Sequence, residues 1–101
     1  MSTQQLVVLS PEPRSGDELP PLGTSEEVLA GLSRLNVFPE TEGEQVLYGP
    51  GIRIEWSPGE PIRQMLLTVV EEEIAWLVIM RVAKVMKWKL FDPTTGRELT
   101  P

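Results

Sequence analysis

Residues 62–99 constrain the fold more than any other part of the chain. In residues 62–70, the side chains that would point to either face of a strand are mostly apolar. This pattern predicts a central β-strand, which is buried on both faces. Apolar residues then recur every three or four positions, and this spacing predicts an amphipathic helix over about residues 72–87. Residues 88–91 predict a last short strand, because the turn sequence Asp-Pro-Thr-Thr-Gly follows them.

The N-terminal part of the chain predicts one strand and one helix. Residues 6–9 are all apolar and precede Ser-Pro, which is typical of a short strand buried on both faces. Thr24 and Glu27 have the spacing of a capping box, in which each side chain accepts a hydrogen bond from the other residue's backbone amide. Apolar residues at helical spacing follow, and Asn36 can adopt the left-handed conformation that ends a helix.

Residues 45–56 predict one further strand, interrupted at residues 49–51. Its second half alternates apolar and charged residues, which is typical of a strand with one wet face. The predicted order is strand, helix, strand, strand, helix, strand. This order predicts an α+β chain with the ferredoxin-like βαββαβ fold, a four-stranded antiparallel sheet with two helices on one face. The first and third strands would be central in such a sheet.

The length of 101 residues predicts one domain, spanning residues 1–101. Hydrophobic residues make up 41% of the chain, which is enough for a core. Two connections stand out within it, a proline-rich loop over residues 11–23 and an acidic linker over residues 37–44. The loop is longer than most connections in compact domains, so we expect it to be functional or mobile, unless the N-terminal segment is assigned wrongly.

The absence of two residue types excludes several chemistries. The chain has no His and no Cys, so it has no Ser-His or Cys-His pair, no zinc site of the usual kind and no disulfide. Two clusters of acidic residues, at 40, 42 and 44 and at 71–73, lack the spacing of a calcium loop and are predicted to be solvated. We therefore expect no catalytic residue, no metal site, no cofactor and no enzymatic activity.

Charge and hydropathy limit the kinds of partner and the cellular compartment that we expect for this protein. The net charge of −6 argues against nucleic acid as a partner, because phosphate binding needs clustered cations. Residues 1–5 lack the pattern of a secretory signal, and the longest uncharged apolar run, residues 74–80, is too short for a bilayer. We expect a soluble, cytoplasmic protein with no membrane contact.

The predicted fold leaves one face of the sheet without helices, and that face is the first candidate site. The central strands are apolar on both faces, so either Leu66 or Leu67 would point to solvent, depending on the register. Monomers seldom expose a large apolar patch that has no use. The patch is predicted to hold a second copy or another protein, unless the loop at residues 11–23 folds back and covers it.

Two smaller sites are also candidates. Leu77 and Met80 lie among charged residues on the polar side of the second helix, with Trp76 at the border, and could form an interface. Scattered apolar residues are nevertheless common on surfaces. Tyr48, Gly49 and Gly51 could form a turn that binds a small ligand, although a bulge that bends an edge strand is favoured.

The sequence therefore predicts a small non-enzymatic interaction domain. It would form a homodimer, or dock on a protein partner, through the open face of the sheet. The alternative hypothesis is a regulatory domain that senses a small ligand near residues 49–51.

Overall fold

The computed structural model describes residues 4–12, 16, 19–41, 45–56 and 61–99. Its elements follow in the order βαβββαββ. They are β1 (Gln5–Leu9), α1 (Ser25–Ser33), β2 (Val46–Gly49), β3 (Ile52–Glu55), β4 (Met65–Val69), α2 (Glu72–Met86), β5 (Lys89–Asp92) and β6 (Arg97–Leu99).

The strands form one antiparallel sheet of six strands in the order β2-β3-β4-β1-β5-β6. The prediction of a four-stranded ferredoxin-like βαββαβ fold is therefore wrong. Two additional edge strands account for the difference. One arises because the interrupted strand predicted over residues 45–56 is a hairpin of two strands, and the other because the chain forms β6 after its last turn. β1 and β4 lie at the centre, as expected for the two segments that are apolar on both faces.

The hairpin of β2 and β3 depends on the turn at Pro50 and Gly51. Gly49 pairs with Ile52, so these two residues alone form the connection. Proline suits the first position of such a turn, and Gly51 has φ +74°, which suits glycine at the second. Residues 49–51, which the sequence predicts to interrupt one strand, therefore form the turn between two strands.

The connection from β5 to β6 is built around Asp92. Its Oδ1 accepts a hydrogen bond of 2.9 Å from the backbone N–H of Thr94, and its carbonyl accepts one of 2.8 Å from Gly96. Gly96 has φ +73° and completes the turn. β6 is only three residues long and begins with Arg97 and Glu98, so its sequence carries almost no hydrophobic signal for a strand.

The start of α1 follows the sequence prediction, whereas its end at Ser33 comes three residues before the left-handed Asn36. Thr24 Oγ1 accepts a hydrogen bond of 3.2 Å from the Glu27 N–H, and Glu27 Oε1 accepts one of 3.2 Å from the Thr24 N–H. The capping box is thus confirmed. Asn36 has φ +65°, and the Val37 N–H donates to the Leu32 carbonyl at 3.0 Å just beyond the helix.

The second helix, α2, ends one residue earlier than predicted. Lys87 adopts the left-handed conformation with φ +59°, and the Trp88 N–H donates to the Ala83 carbonyl at 3.0 Å. This ends the helix and turns Trp88 into the core, where it is buried. The strand then starts at Lys89 rather than at residue 88.

One face of the sheet forms the core together with both helices. The register pairs Leu6 with Leu67 and Val8 with Met65, and all four side chains are buried. They share one hydrophobic cluster with the buried residues of α1 and α2. The opposite face, called the outer face from here on, carries the intervening strand residues. They are Gln5, Val7, Leu9, Val46, Tyr48, Arg53, Glu55, Leu66, Thr68, Lys89, Phe91 and Glu98.

Candidate functional site

An apolar row crosses the middle of the outer face, perpendicular to the strands. Val7 on β1 pairs with Leu66 on β4 and with Phe91 on β5, so the three side chains are neighbours on the same face. All three are half-buried. Val46 lies in the same row on β2, on the far side of Glu55. No described residue of either helix packs against this row, because the helices lie with the core on the other face.

Two concavities lie along the row and share Val7 and Gln64. The first has a volume of about 420 Å³ and reaches Phe91 on one side and Leu19 on the other. The second has a volume of about 530 Å³ and reaches Val46 and Trp56. Together they form a trough across the sheet with an apolar floor. The outer face is therefore concave along the apolar row.

The end of the proline-rich loop borders this trough. The Leu22 N–H donates to the Ile62 carbonyl at 2.7 Å, and the Ile62 N–H donates to the Gly23 carbonyl at 2.8 Å. The Arg63 guanidinium donates to the Leu19 carbonyl. These bonds hold Leu19 and Pro20 at one side of the trough, where both residues line it. Residues 13–15 and 17–18 lie outside the described part of the chain, so covering of the outer face by those residues stays an open alternative.

Charged and polar side chains surround the apolar row. Arg53 and Glu55 lie next to each other on β3, with 4.0 Å between Nη2 and Oε1. Lys89 and Glu98 form an ion pair at 3.2 Å on β5 and β6. Gln5 Nε2 donates to Thr68 Oγ1 at 3.4 Å between the central strands. An apolar centre with a polar rim is the usual anatomy of a protein interface.

The structure separates the predicted interface residues into three environments. Leu66 is on the outer face, whereas Leu67 is fully buried in the core, so the register selects Leu66. Trp76 is half-buried and packs against the core. Leu77 is 80% exposed and Met80 is 37% exposed, both on the helical side of the molecule. They are not brought together with Leu66.

The predicted ligand turn lies in a shallow depression of about 280 Å³. Tyr48, Gly49 and Gly51 line it together with Ile74 of α2. Packing accounts for both glycines: a Cβ on Gly49 would lie 2.8 Å from Val37 Cγ2, and one on Gly51 would lie 2.7 Å from Ile74 Cγ1. A role in ligand binding stays a prediction, since the close packing explains these residues without it.

Sequence reasoning missed the far ends of the trough. The sequence pattern places Phe91 and Val46 in strands but not in the site, and it includes Leu19 and Pro20 only in the loop that would cover the open face. Strand pairing brings Phe91 beside Val7, and pairing between Leu22–Gly23 and Ile62 brings Leu19 to the sheet. Only the alternation of Phe91 with buried Leu90 could have indicated which side of β5 faces outward.

Within residues 4–12, 16, 19–41, 45–56 and 61–99, no group of three or more Asp and Glu side chains is placed to hold a metal ion. None of the helices in those ranges has both the length and the hydropathy needed to cross a bilayer. No protein-family model matches the chain, and no curated protein or solved structure matches it. The function is therefore argued from the geometry of the outer face.

Proposed function

We propose that this protein is a small non-enzymatic interaction domain and that its outer face binds another protein. The observation that carries the proposal is the apolar row of Leu66, Val7 and Phe91 at the floor of the trough. These side chains lie at the centre of the face, away from the helices, and a second protein surface would remove their remaining exposed area from water.

Several features of the outer face support a protein rather than a small molecule as its partner. The trough is open and crosses the sheet from Val46 on β2 to Glu98 on β6, whereas sites for small ligands are usually enclosed. Its lining includes the cation Lys89, the anions Glu12, Glu55 and Glu98, and two aromatic residues, Phe91 and Trp56. Aromatic side chains on an open surface that also carries charged residues are typical of protein interaction sites.

A charge in the apolar row tests the proposal. We expect Leu66→Glu to weaken any self-association about a hundredfold or more, because the carboxylate would be buried in the interface without a partner. Light scattering on the 101-residue chain across a concentration series measures this. The matched control is Leu77→Glu, an equally large change on the helical side, which should leave the solution mass unchanged.

Either of two results would contradict this assignment. Loss of assembly in Leu77→Glu but not in Leu66→Glu would move the interface to α2. Unfolding of Leu66→Glu, seen as loss of helical circular dichroism, would show that Leu66 is a core residue. A second variant, Phe91→Lys, should reproduce the effect of Leu66→Glu from a neighbouring strand, since Phe91 lies in the same row.

A further inference from the structure

We infer that the partner of the outer face is a short apolar segment of another protein, and that this segment also carries Lys or Arg residues. The inference rests on the proposed function and adds the size and the charge of the partner. It is drawn from the area of the outer face, from the shape of the trough and from the charges of the residues that line the trough.

The area of the outer face favours a segment over the surface of a whole folded protein. With strands about 4.8 Å apart and three rows of outward side chains, the sheet offers a projected area of roughly 400 Å². A stable interface between two folded proteins buries about 800 Å² on each partner. Domains that bind peptides need less area, because they hold a single extended or helical stretch of the partner.

The shape of the trough also suits a segment. Val7 and Gln64 line both concavities and therefore mark the place where the two meet. The concavity of about 420 Å³ extends from there to Phe91, and the one of about 530 Å³ extends to Trp56. Each is large enough for a bulky apolar side chain, so a segment with two such side chains fits along the trough.

The charges along the trough favour a basic segment. Glu12 and Glu98 line one concavity and Glu55 lines the other, whereas Lys89 is the one base among the described lining residues. The Arg63 guanidinium bonds a backbone carbonyl at the side of the trough and is not among those lining residues. Three acids and one base give the described lining a net charge of −2. Lys and Arg residues of a partner would be attracted to this surface, and Asp and Glu residues would be repelled.

Two of these acids are available to a cation of the partner. Glu98 is already paired, because its Oε1 lies 3.2 Å from Lys89 Nζ. Glu55 Oε1 lies 4.0 Å from Arg53 Nη2, and Arg53 lines the depression of about 280 Å³ rather than the trough. Glu12 is exposed and forms no ion pair with the described part of the chain. Each concavity therefore has one acid, Glu12 or Glu55, that can pair with a Lys or Arg residue of the segment.

Two synthetic peptides test the charge of the partner. The first alternates leucine with serine and has lysines at both ends, and the second has glutamates in place of the lysines. We expect the lysine peptide to bind the 101-residue chain at least about tenfold more tightly, because only its charges are opposite to those of the free acids. Isothermal titration calorimetry gives both dissociation constants. Tighter binding of the glutamate peptide would overturn the inference.

Variants of single acids separate the trough from the net charge of the chain. Glu12→Gln and Glu55→Gln should each weaken the binding of the lysine peptide about threefold, because each removes one exposed ion pair. The matched control is Glu73→Gln, which makes the same change in net charge on α2, away from the outer face. It should leave the dissociation constant unchanged. Equal weakening by all three variants would show attraction by net charge alone and would overturn the inference.

Two apolar variants separate the inference from the proposed function. Phe91→Ala should weaken the binding of the lysine peptide about tenfold, because it removes an aromatic contact from the trough, whereas Leu77→Ala on α2 should have no effect. If the glutamate peptide binds more tightly and Phe91→Ala weakens that binding, the outer face stays the interface and the basic partner is wrong. If neither peptide binds, the short segment is wrong as the partner. If a peptide binds and neither Phe91→Ala nor Leu66→Ala weakens it, both the inference and the proposed function are contradicted.

Discussion

At the scale of single residues, two glycines with nearly the same backbone conformation have different roles. Gly51 has φ +74° and Gly96 has φ +73°. A Cβ on Gly51 would lie 2.7 Å from Ile74 Cγ1, 2.9 Å from the Glu71 carbonyl oxygen and 3.0 Å from the Ala75 nitrogen, whereas one on Gly96 would meet nothing within 4 Å. Gly51 is thus required both by the turn and by the packing of the turn against α2.

This difference predicts unequal losses of stability on substitution by alanine. Gly96→Ala should lower the free energy of unfolding by about 1–2 kcal/mol, the cost of a left-handed alanine. Gly51→Ala should cost clearly more, because the Cβ would also collide with backbone atoms that cannot rotate away. Urea denaturation of both variants measures the two losses, and equal losses would show that the turn does not pack as tightly against α2 as described.

At the scale of the elements, α1 is the part whose sequence agrees most fully with its structure. Its first turn is closed by the side chains of Thr24 and Glu27, and its apolar stripe buries Val28 and Leu32. Both features are local in sequence, because capping and helical periodicity involve residues only three or four positions apart. A prediction about this helix can therefore be made without reference to the sheet.

Removal of the cap should destabilise α1 by an amount typical of N-caps. We expect Thr24→Ala to lower the free energy of unfolding by about 1 kcal/mol, because the Glu27 N–H loses its acceptor. Ser33→Ala, at the exposed end of the same helix, is the matched control and should be neutral or slightly stabilising. Thermal unfolding followed by circular dichroism compares them, and a Thr24→Ala variant as stable as the control would contradict the role of the cap.

At the scale of the whole molecule, the two faces of the sheet have different surroundings. Leu67 points into the core with the helices and Leu66 points to the outer face, although they are neighbours in the chain. Because side chains alternate along a strand, one register places Leu67 in the core, where it contributes to stability, and Leu66 on the face that we propose for binding. Substitutions at these two positions should therefore separate the two properties.

Alanine at each position tests this division. Leu67→Ala should lower the free energy of unfolding by about 2–5 kcal/mol, since it leaves a cavity in a fully buried site. Leu66→Ala should cost much less when unfolding is measured at protein concentrations where the chain is monomeric. Chemical denaturation monitored by tryptophan fluorescence gives both values. The assignment of the faces is wrong if Leu66→Ala is the more damaging change.

Sequence reasoning predicted the order of the main helices and strands, the central position of the most apolar strands and the ends of both helices to within a few residues. These properties depend on neighbouring residues and on the burial preference of runs such as residues 6–9. The number of strands was predicted wrongly. Arg97–Leu99 lacks an apolar pattern and forms β6 only because Leu90 and Asp92 offer paired positions beside it.

The chemistry available to the protein follows from its composition alone, since a chain without His or Cys lacks the side chains of many common catalytic sites. The candidate site, in contrast, depends on the tertiary structure. Val7, Leu66 and Phe91 are separated by up to 84 positions in the chain and become one row only through the pairing of three strands. The alternation of residues along a strand shows that the strand has two faces. The helices that cover one of these faces decide which face stays uncovered.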